Sequence, residues 1–314
     1  MIKKSWYPTF FVFLIVTFQF SCSKKDPAPS FGKDVYVSGF TGAAPNVNAA
    51  YWKNETITQL SNPTNAYSFA NDILVVGNDV YVVGGLFDAN LSVTAVYWKN
   101  GAMTKLSNDV SQARAIASNG TDIFIAGSNN GFGGYWQNGN FIPFVSGSIA
   151  TDITVSGSDV YAVGLIESSG NISPLYWKNG VSTNLPGIDG STQIAVGSSG
   201  VYICGNVSNE YWSNGTETNV PDAQFIFSIT TSGADVYFSG QSGGNPVYWK
   251  NGVVSKMDNT ALAVPSAIQV SGPDVYVIGN SGSSGNYSAI FWKNGISTKL
   301  SASTACRANG LFVN

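Results

Sequence analysis

Apolar and polar positions alternate with a period of two along most of the chain, in short runs cut by turn residues. Ile153-Thr154-Val155, Val160-Tyr161-Ala162-Val163 and Val181-Ser182-Thr183-Asn184-Leu185 are typical. Runs of this kind, rich in β-branched and aromatic residues and bounded by Gly, Asn and Asp, predict strands with one buried face. No long helical period competes with them.

The runs recur as one unit. Each unit opens on an apolar alternation, turns at Gly-x-Asp (157–159, 272–274) and returns through Val-Tyr-x-x-Gly (160–164, 275–279). A loop of variable length follows, then Tyr-Trp-Lys-Asn-Gly and a short last strand. The pentapeptide is complete at 97–101, 176–180 and 248–252, and varied at 51–54, 135–139, 211–215 and 291–295. Seven of the eight Trp belong to it, and successive ones lie 35 to 46 residues apart, so the unit is fixed and its loops are not. Asn-Gly between alternating apolar residues predicts a hairpin, because both residues tolerate positive φ. The first hairpin also has one length. Ile73, Ile116, Ile153, Ile194, Ile229 and Ile268 each precede Asp79, Asp122, Asp159, Gly200, Asp235 and Asp274 by the same interval.

Four antiparallel strands per unit, seven units and one large aromatic in each resemble a β-propeller over residues 32–314. The resemblance is to an all-β architecture and to no functional family. The WD dipeptide, the kelch double-Gly set and the sialidase Ser-x-Asp box are missing. The ends agree with a ring. The first unit starts at its turn, Gly32-Lys33-Asp34, without an opening strand. The last unit is complete by Leu300, yet 308–313 repeats the pattern of 70–75 and 150–155. This stretch is expected to return as the inner strand of the first blade, closing seven blades and removing exposed sheet edges. Each Trp is expected to fill a layer between blades, and each repeated Asp to serve its turn.

The N-terminus has a different character. Lys3 and Lys4 precede a nearly unbroken apolar run from Phe10 to Phe20, too short for the ~20 residues of a membrane span. Ser21-Cys22-Ser23-Lys24-Lys25-Asp26 follows. This resembles a bacterial lipoprotein signal, and lipoproteins of the Bacteroidota in particular, although Gln19 stands where Leu is usual. The resemblance implies a signal peptide at 1–21, lipidation at Cys22, a tether at 22–31 and a lipid-anchored place in the cell envelope, facing the periplasm or the surface of the outer membrane. The membrane would be met only through that lipid. Cys204 and Cys306 lie in distant units and read as small buried residues rather than a disulfide.

Composition narrows the chemistry. Charged residues are 11% of the chain, against roughly 25% for an average domain. Net charge is −3, and such a surface does not attract phosphate backbones, so nucleic acid is not an expected partner. The absence of His excludes a Ser-His-Asp triad, a Cys-His pair and histidine-ligated zinc. No Cys pair has zinc spacing and no Gly-rich loop precedes a helix, so neither a metal nor a cofactor is expected. Carboxylates alone still permit glycoside hydrolysis.

In a meander, the Gly-x-Asp and Asn-Gly turns share one face and the variable connections share the other. A diverse face on a rigid scaffold is where binding is expected. The leading expectation is a monomeric, non-catalytic module binding a glycan, peptide or protein there. The alternative is a propeller glycoside hydrolase or lyase using carboxylates on that same face, and a structural surface protein without a specific ligand stays open. Inner strands line a propeller's channel, so residues just before each inner-strand Ile should ring its mouth. This selects Asn71, Asp72, Arg114, Asp152, Gln193, Phe227 and Asn309 as ligand-binding candidates. Polar groups around one aromatic suit a neutral, hydroxyl-rich ligand. Arg114→Ala and Asp152→Ala are expected to weaken its binding without altering the melt.

Overall fold

The computed structural model describes residues 32–314 except 44–45, 63–66, 89, 91, 169, 186–187, 189–192, 206–207, 259–262, 284–285, 301 and 303–304. Cys22, the leader and the tether lie outside the described residues. Twenty-eight strands and no helix are found among them. They form seven separate four-stranded antiparallel sheets. The chain is a seven-bladed β-propeller. Six blades are simple meanders numbered in chain order. The first blade takes its inner strand from the far end of the chain: Cys306–Val313 pairs antiparallel with Val35–Thr41, from Thr41↔Cys306 to Val35↔Val313.

The hairpins follow from the turn residues. Asn100 and Gly101 have φ of 51° and 84°, and the same pair of positive angles recurs at 138–139, 179–180, 214–215, 251–252 and 294–295. Positive φ at both central residues is the turn whose twist matches paired strands. The Trp of each repeat packs between blades. Six of the seven are almost fully buried, and Trp212 of blade 5 is half-buried. Indole N–H groups reach across the interface: Trp98 donates to the Ser61 carbonyl at 2.8 Å and Trp249 to that of Pro221 at 3.0 Å. At the start of inner strands, Ser68 and Ser111 Oγ accept the Ala49 and Ala95 amides of the preceding blade. Cys306 fills that role in blade 1, its Sγ 3.4 Å from the Ala289 amide. Both Cys204 and Cys306 are buried and free.

The repeated Asp belongs to a larger clasp on the stereotyped face. In blade 2, Asp79 Oδ1 accepts from Asn100 Nδ2 and Oδ2 from Lys99 Nζ, each at 2.7 Å. Asn100 Oδ1 in turn accepts the Val80 amide, and the Lys99 ammonium lies 5.2 Å from the centre of the Tyr81 ring. Blades 1, 4, 6 and 7 repeat the arrangement. Blade 3 keeps a neutral version, with Gln137 in place of Lys and Phe124 in place of Tyr. In blade 5 Gly200 and Ser213 replace Asp and Lys, and Asn214 falls back on the Ser199 carbonyl.

Candidate functional site

The inner strands do not run evenly past the channel. In six blades the register slips by one residue near the variable face, leaving an extra residue on the inner strand: Asn71, Arg114, Thr151, Phe227, Ser266 and Asn309. A bulge of this kind re-aims a side chain and adds twist. The second strand makes room for it. Gly164 lies where a Cβ would press far inside contact distance of the Ile149 carbonyl, and Gly39, Gly84, Gly127, Gly240 and Gly279 stand in the same relation to their inner strands. The Val-Tyr-x-x-Gly motif therefore ends on the residue that admits the bulge.

Four of the seven candidates spend their side chains on holding the ring. Asn71 Nδ2 donates to the Ala113 carbonyl of blade 3, and Asn309 Nδ2 to the Ala70 carbonyl of blade 2, both at 2.7 Å. Asp72 accepts the Ile73 amide at 2.8 Å and the Ile116 amide of the next blade at 2.9 Å. Asp152 does the same for Ile153 and Ile194. Asp152→Ala would lose both bonds, so it is expected to lower the melt rather than leave it unaltered. Both carboxyls keep a partial exposure while protein crowds them on every side. Loss of bulk water raises Asp72 to about 7, helped by the charge of Asp152, and Asp152 to about 6; the amides oppose the shift and do not cancel it.

Arg114 donates from Nη2 to Gln112 Oε1 at 2.7 Å, while its buried Nε has no partner. Desolvation lowers its pKa from the ordinary arginine value. Gln193 and Phe227 meet elsewhere, in a cavity of about 370 Å³ with Ser266, Asn280, Tyr287 and Arg307. The Arg307 guanidinium lies over the Tyr287 ring, 4.5 Å from its centre, its Nε is buried without a partner, and no carboxylate pairs with it among the described residues. Its strand is fixed from behind: Asn280 bonds both the amide and the carbonyl of Ala308, at 2.7 and 2.8 Å, and Ser266 Oγ donates to that carbonyl too. The Gln193 side-chain amide makes no hydrogen bond among the described residues, while its backbone pairs with Cys204. The cavity thus offers a guanidinium and a side-chain amide in a wall that also holds the Tyr287 and Phe227 rings. Arg307 and Tyr287 were not among the sequence candidates. The available signal was that the chain has only two arginines, both on inner strands.

Among the described residues no three His, Cys, Asp or Glu are grouped to hold a metal ion. No protein-family model and no curated protein matches the sequence. Similar solved structures do exist. An acylaminoacyl peptidase from Pyrococcus horikoshii matches with a TM-score of 0.52 at 10% identity, over 75% of this chain and 46% of the peptidase. This chain therefore spans less than half the length of that enzyme. The β-propeller domain of the Trilobed protease from Pyrococcus furiosus, described as having an open velcro topology, matches at 0.49 and 13% identity, covering 85% of this chain and 94% of the domain. A putative 6-phosphogluconolactonase from Bacteroides uniformis matches at 0.45 and 12%, covering 90% and 99%. The likeness is one of fold.

Proposed function

We propose that this chain is a non-catalytic binding module of the cell envelope, tethered through a lipid on Cys22, which takes an anionic ligand, a glycan or a peptide, at the variable mouth of its channel. The observation that carries the reading is Arg307. It is one of two guanidiniums in a charge-poor chain, and it faces a cavity with no counter-charge among its described lining residues. Arginine presents a planar donor fork suited to carboxylates, and stacking on Tyr287 holds that plane in place. Phe227 and the Gln193 amide supply an apolar wall and a hydrogen-bonding group beside it, the composition of a small-ligand site. A neutral sugar would leave the guanidinium unmatched, so the ligand is acidic rather than the neutral one the sequence suggested.

The hydrolase reading has one observation behind it, the pair Asp72 and Asp152 with raised pKa values. Each carboxyl, however, uses both oxygens to bind backbone amides of two blades, which is the work of a staple and not of an acid or base free to move a proton. Binding of a panel of acidic and neutral oligosaccharides and peptides tests the proposal. Acidic members should bind, and Arg307→Gln should lower their affinity at least tenfold with an unchanged melt. Preference for neutral members, or equal binding by Arg307→Gln, would place the site elsewhere. Labelled fatty acid should enter the wild type and not Cys22→Ala.

A further inference from the structure

The Arg307 cavity and the chain's entry into the propeller lie at opposite ends of the same blades. Arg307 opens Cys306–Val313, Asn280 lies late in Asp274–Ser283, and Tyr287 opens Asn286–Lys293, so all three stand where strands meet the variable face. The first described residue, Gly32, lies at the other end. A Cβ on it would stand 3.1 Å from Lys293 Nζ, which belongs to the blade 7 clasp with Asp274. Two residues on, Asp34 forms the blade 1 clasp with Lys53, and its carbonyl accepts the Asn314 amide at 3.0 Å. Both clasps stand on the stereotyped face. One ladder joins the two ends: Thr41 pairs with Cys306 beside the site, and Val35 with Val313 beside the entry. A strand rises about 3.3 Å per residue, so a ten-residue strand such as Asp159–Ser168 sets the two faces about 30 Å apart.

Resting on the lipid at Cys22 and on the Arg307 site, we propose that the site works in trans. The stereotyped face is turned to the membrane that holds the lipid, and the site takes its acidic ligand from the opposite side. Residues 22–31 are ten in number and, even fully extended, span at most about 33–36 Å. Inverting the propeller would use almost that whole reach to clear its own height of about 30 Å, before any lateral detour around the blades. Every shorter path keeps the mouth away from the bilayer. The clasps on the stereotyped face match one carboxylate with one lysine in five blades, so the tether rather than surface charge sets the standoff. The ligand is thereby narrowed to an acid carried on the far side, and distance excludes the anionic headgroups of the anchoring membrane.

Energy transfer from a dye on the propeller to an acceptor on lipid headgroups tests this, with the lipidated full chain in vesicles. Cys204 and Cys306 are buried, so a thiol dye marks only an introduced cysteine. Ser158→Cys labels the exposed stereotyped turn of blade 4, and Asn171→Cys the exposed variable end of the same blade. Transfer from Ser158→Cys should exceed that from Asn171→Cys by roughly twofold or more, because about 30 Å of strand separates them. Equal or reversed transfer would overturn the proposal and leave the lipid reading standing. Fatty-acid labelling of Cys22 in the same preparations reads the lipid separately, and an unlabelled chain would remove the anchor and the proposal with it. The same vesicles read the site. Beads bearing oligogalacturonate or polyglutamate, too large to pass beneath the propeller, should retain wild-type vesicles and not those carrying Arg307→Gln. If the free oligomers bind in an Arg307-dependent way and the beads retain nothing, the mouth faces the bilayer and the proposal falls while the anionic reading stands. If neither free nor bead-borne acid binds, the anionic reading falls and takes the proposal with it.

Discussion

Gly164 shows how much one atom decides here. Its missing Cβ leaves space for the Ile149 carbonyl, which the bulge at Thr151 pushes across the ladder. A methyl group there must either flatten the bulge or part the strands, an overpacking that typically costs about 1–3 kcal/mol. Gly164→Ala should lower the melting midpoint of the whole protein by several degrees. Ala at Ser158, in the exposed turn of the same blade, should leave it within a degree. A neutral Gly164→Ala would mean that the bulge is not under pressure. The glycine was legible as part of a repeated motif, but a Gly in a strand signals weak packing as readily as close approach. The clasp was half legible. The Asp and the Asn-Gly turn were read as turn chemistry, which they are, whereas their tie to Lys99 and Tyr81 depends on how a hairpin of twenty-odd residues folds back. The repeats did hold that information: where Asp becomes Gly200, Lys becomes Ser213, and where Lys becomes Gln137, Tyr becomes Phe124.

Among the elements, blade 5 stands apart. Its strands, Gln193–Gly197, Gly200–Cys204, Glu210–Ser213 and Thr216–Asn219, have 5, 5, 4 and 4 residues, while the first three strands of blade 4 have 9, 10 and 8. It lacks the Asp–Lys clasp and its Trp is half-buried. Local opening follows low burial and few backbone bonds. Amide exchange should therefore be fastest in 193–219 among the blades, and uniform protection around the ring would contradict this. The candidate site was legible at the same scale and no further. Counting along the repeat put six of the seven residues at or beside an inner-strand bulge, because those strands share one register, while Gln193 lies in blade 5, which has no bulge. What each does there depends on the neighbouring blade. Asn71 finds the Ala113 carbonyl, whereas Phe227 has no polar group to offer and turns to the cavity. Arg307 and Tyr287 meet only because the ring closes, a contact that no spacing within a repeat encodes.

At the scale of the whole molecule, closure and charge are the two global terms. Deleting 306–314 would strip blade 1 of its inner strand and leave Val35–Thr41 as an unpaired edge, so the truncated chain should melt well below the intact one and in a broader transition. An unchanged, sharp melt would show that Cys306–Val313 is dispensable to the ring. The staple carboxyls Asp72 and Asp152 give a finer test, because the chain has no histidine to titrate between pH 5 and 8. Asp72 and Asp152 have folded-state pKa values raised to about 7 and about 6. The folded protein thus binds more protons than the unfolded chain above pH 4. Their contribution is complete below the unfolded value near 3.9 and is lost as pH climbs through 6 and 7. The clasp carboxylates Asp34, Asp79, Asp122, Asp159, Asp235 and Asp274 are shifted down by their hydrogen bonds, so they act the other way and only below about pH 4. The melting midpoint should peak near pH 4, about where the unfolded carboxyls titrate, and decline toward pH 8. Each pKa unit corresponds to about 1.4 kcal/mol, so the two staples command a few kcal/mol, trimmed by any water that enters the channel. Joint replacement, Asp72→Asn with Asp152→Asn, should lower the midpoint at pH 5, since one amide acceptor per site is lost, and flatten its pH dependence from 5 to 8. A wild-type midpoint that rises over that range, or a double variant that keeps the decline, would mean that these carboxyls stay ionised in the ring and that the staples are charged clamps rather than protonated ones.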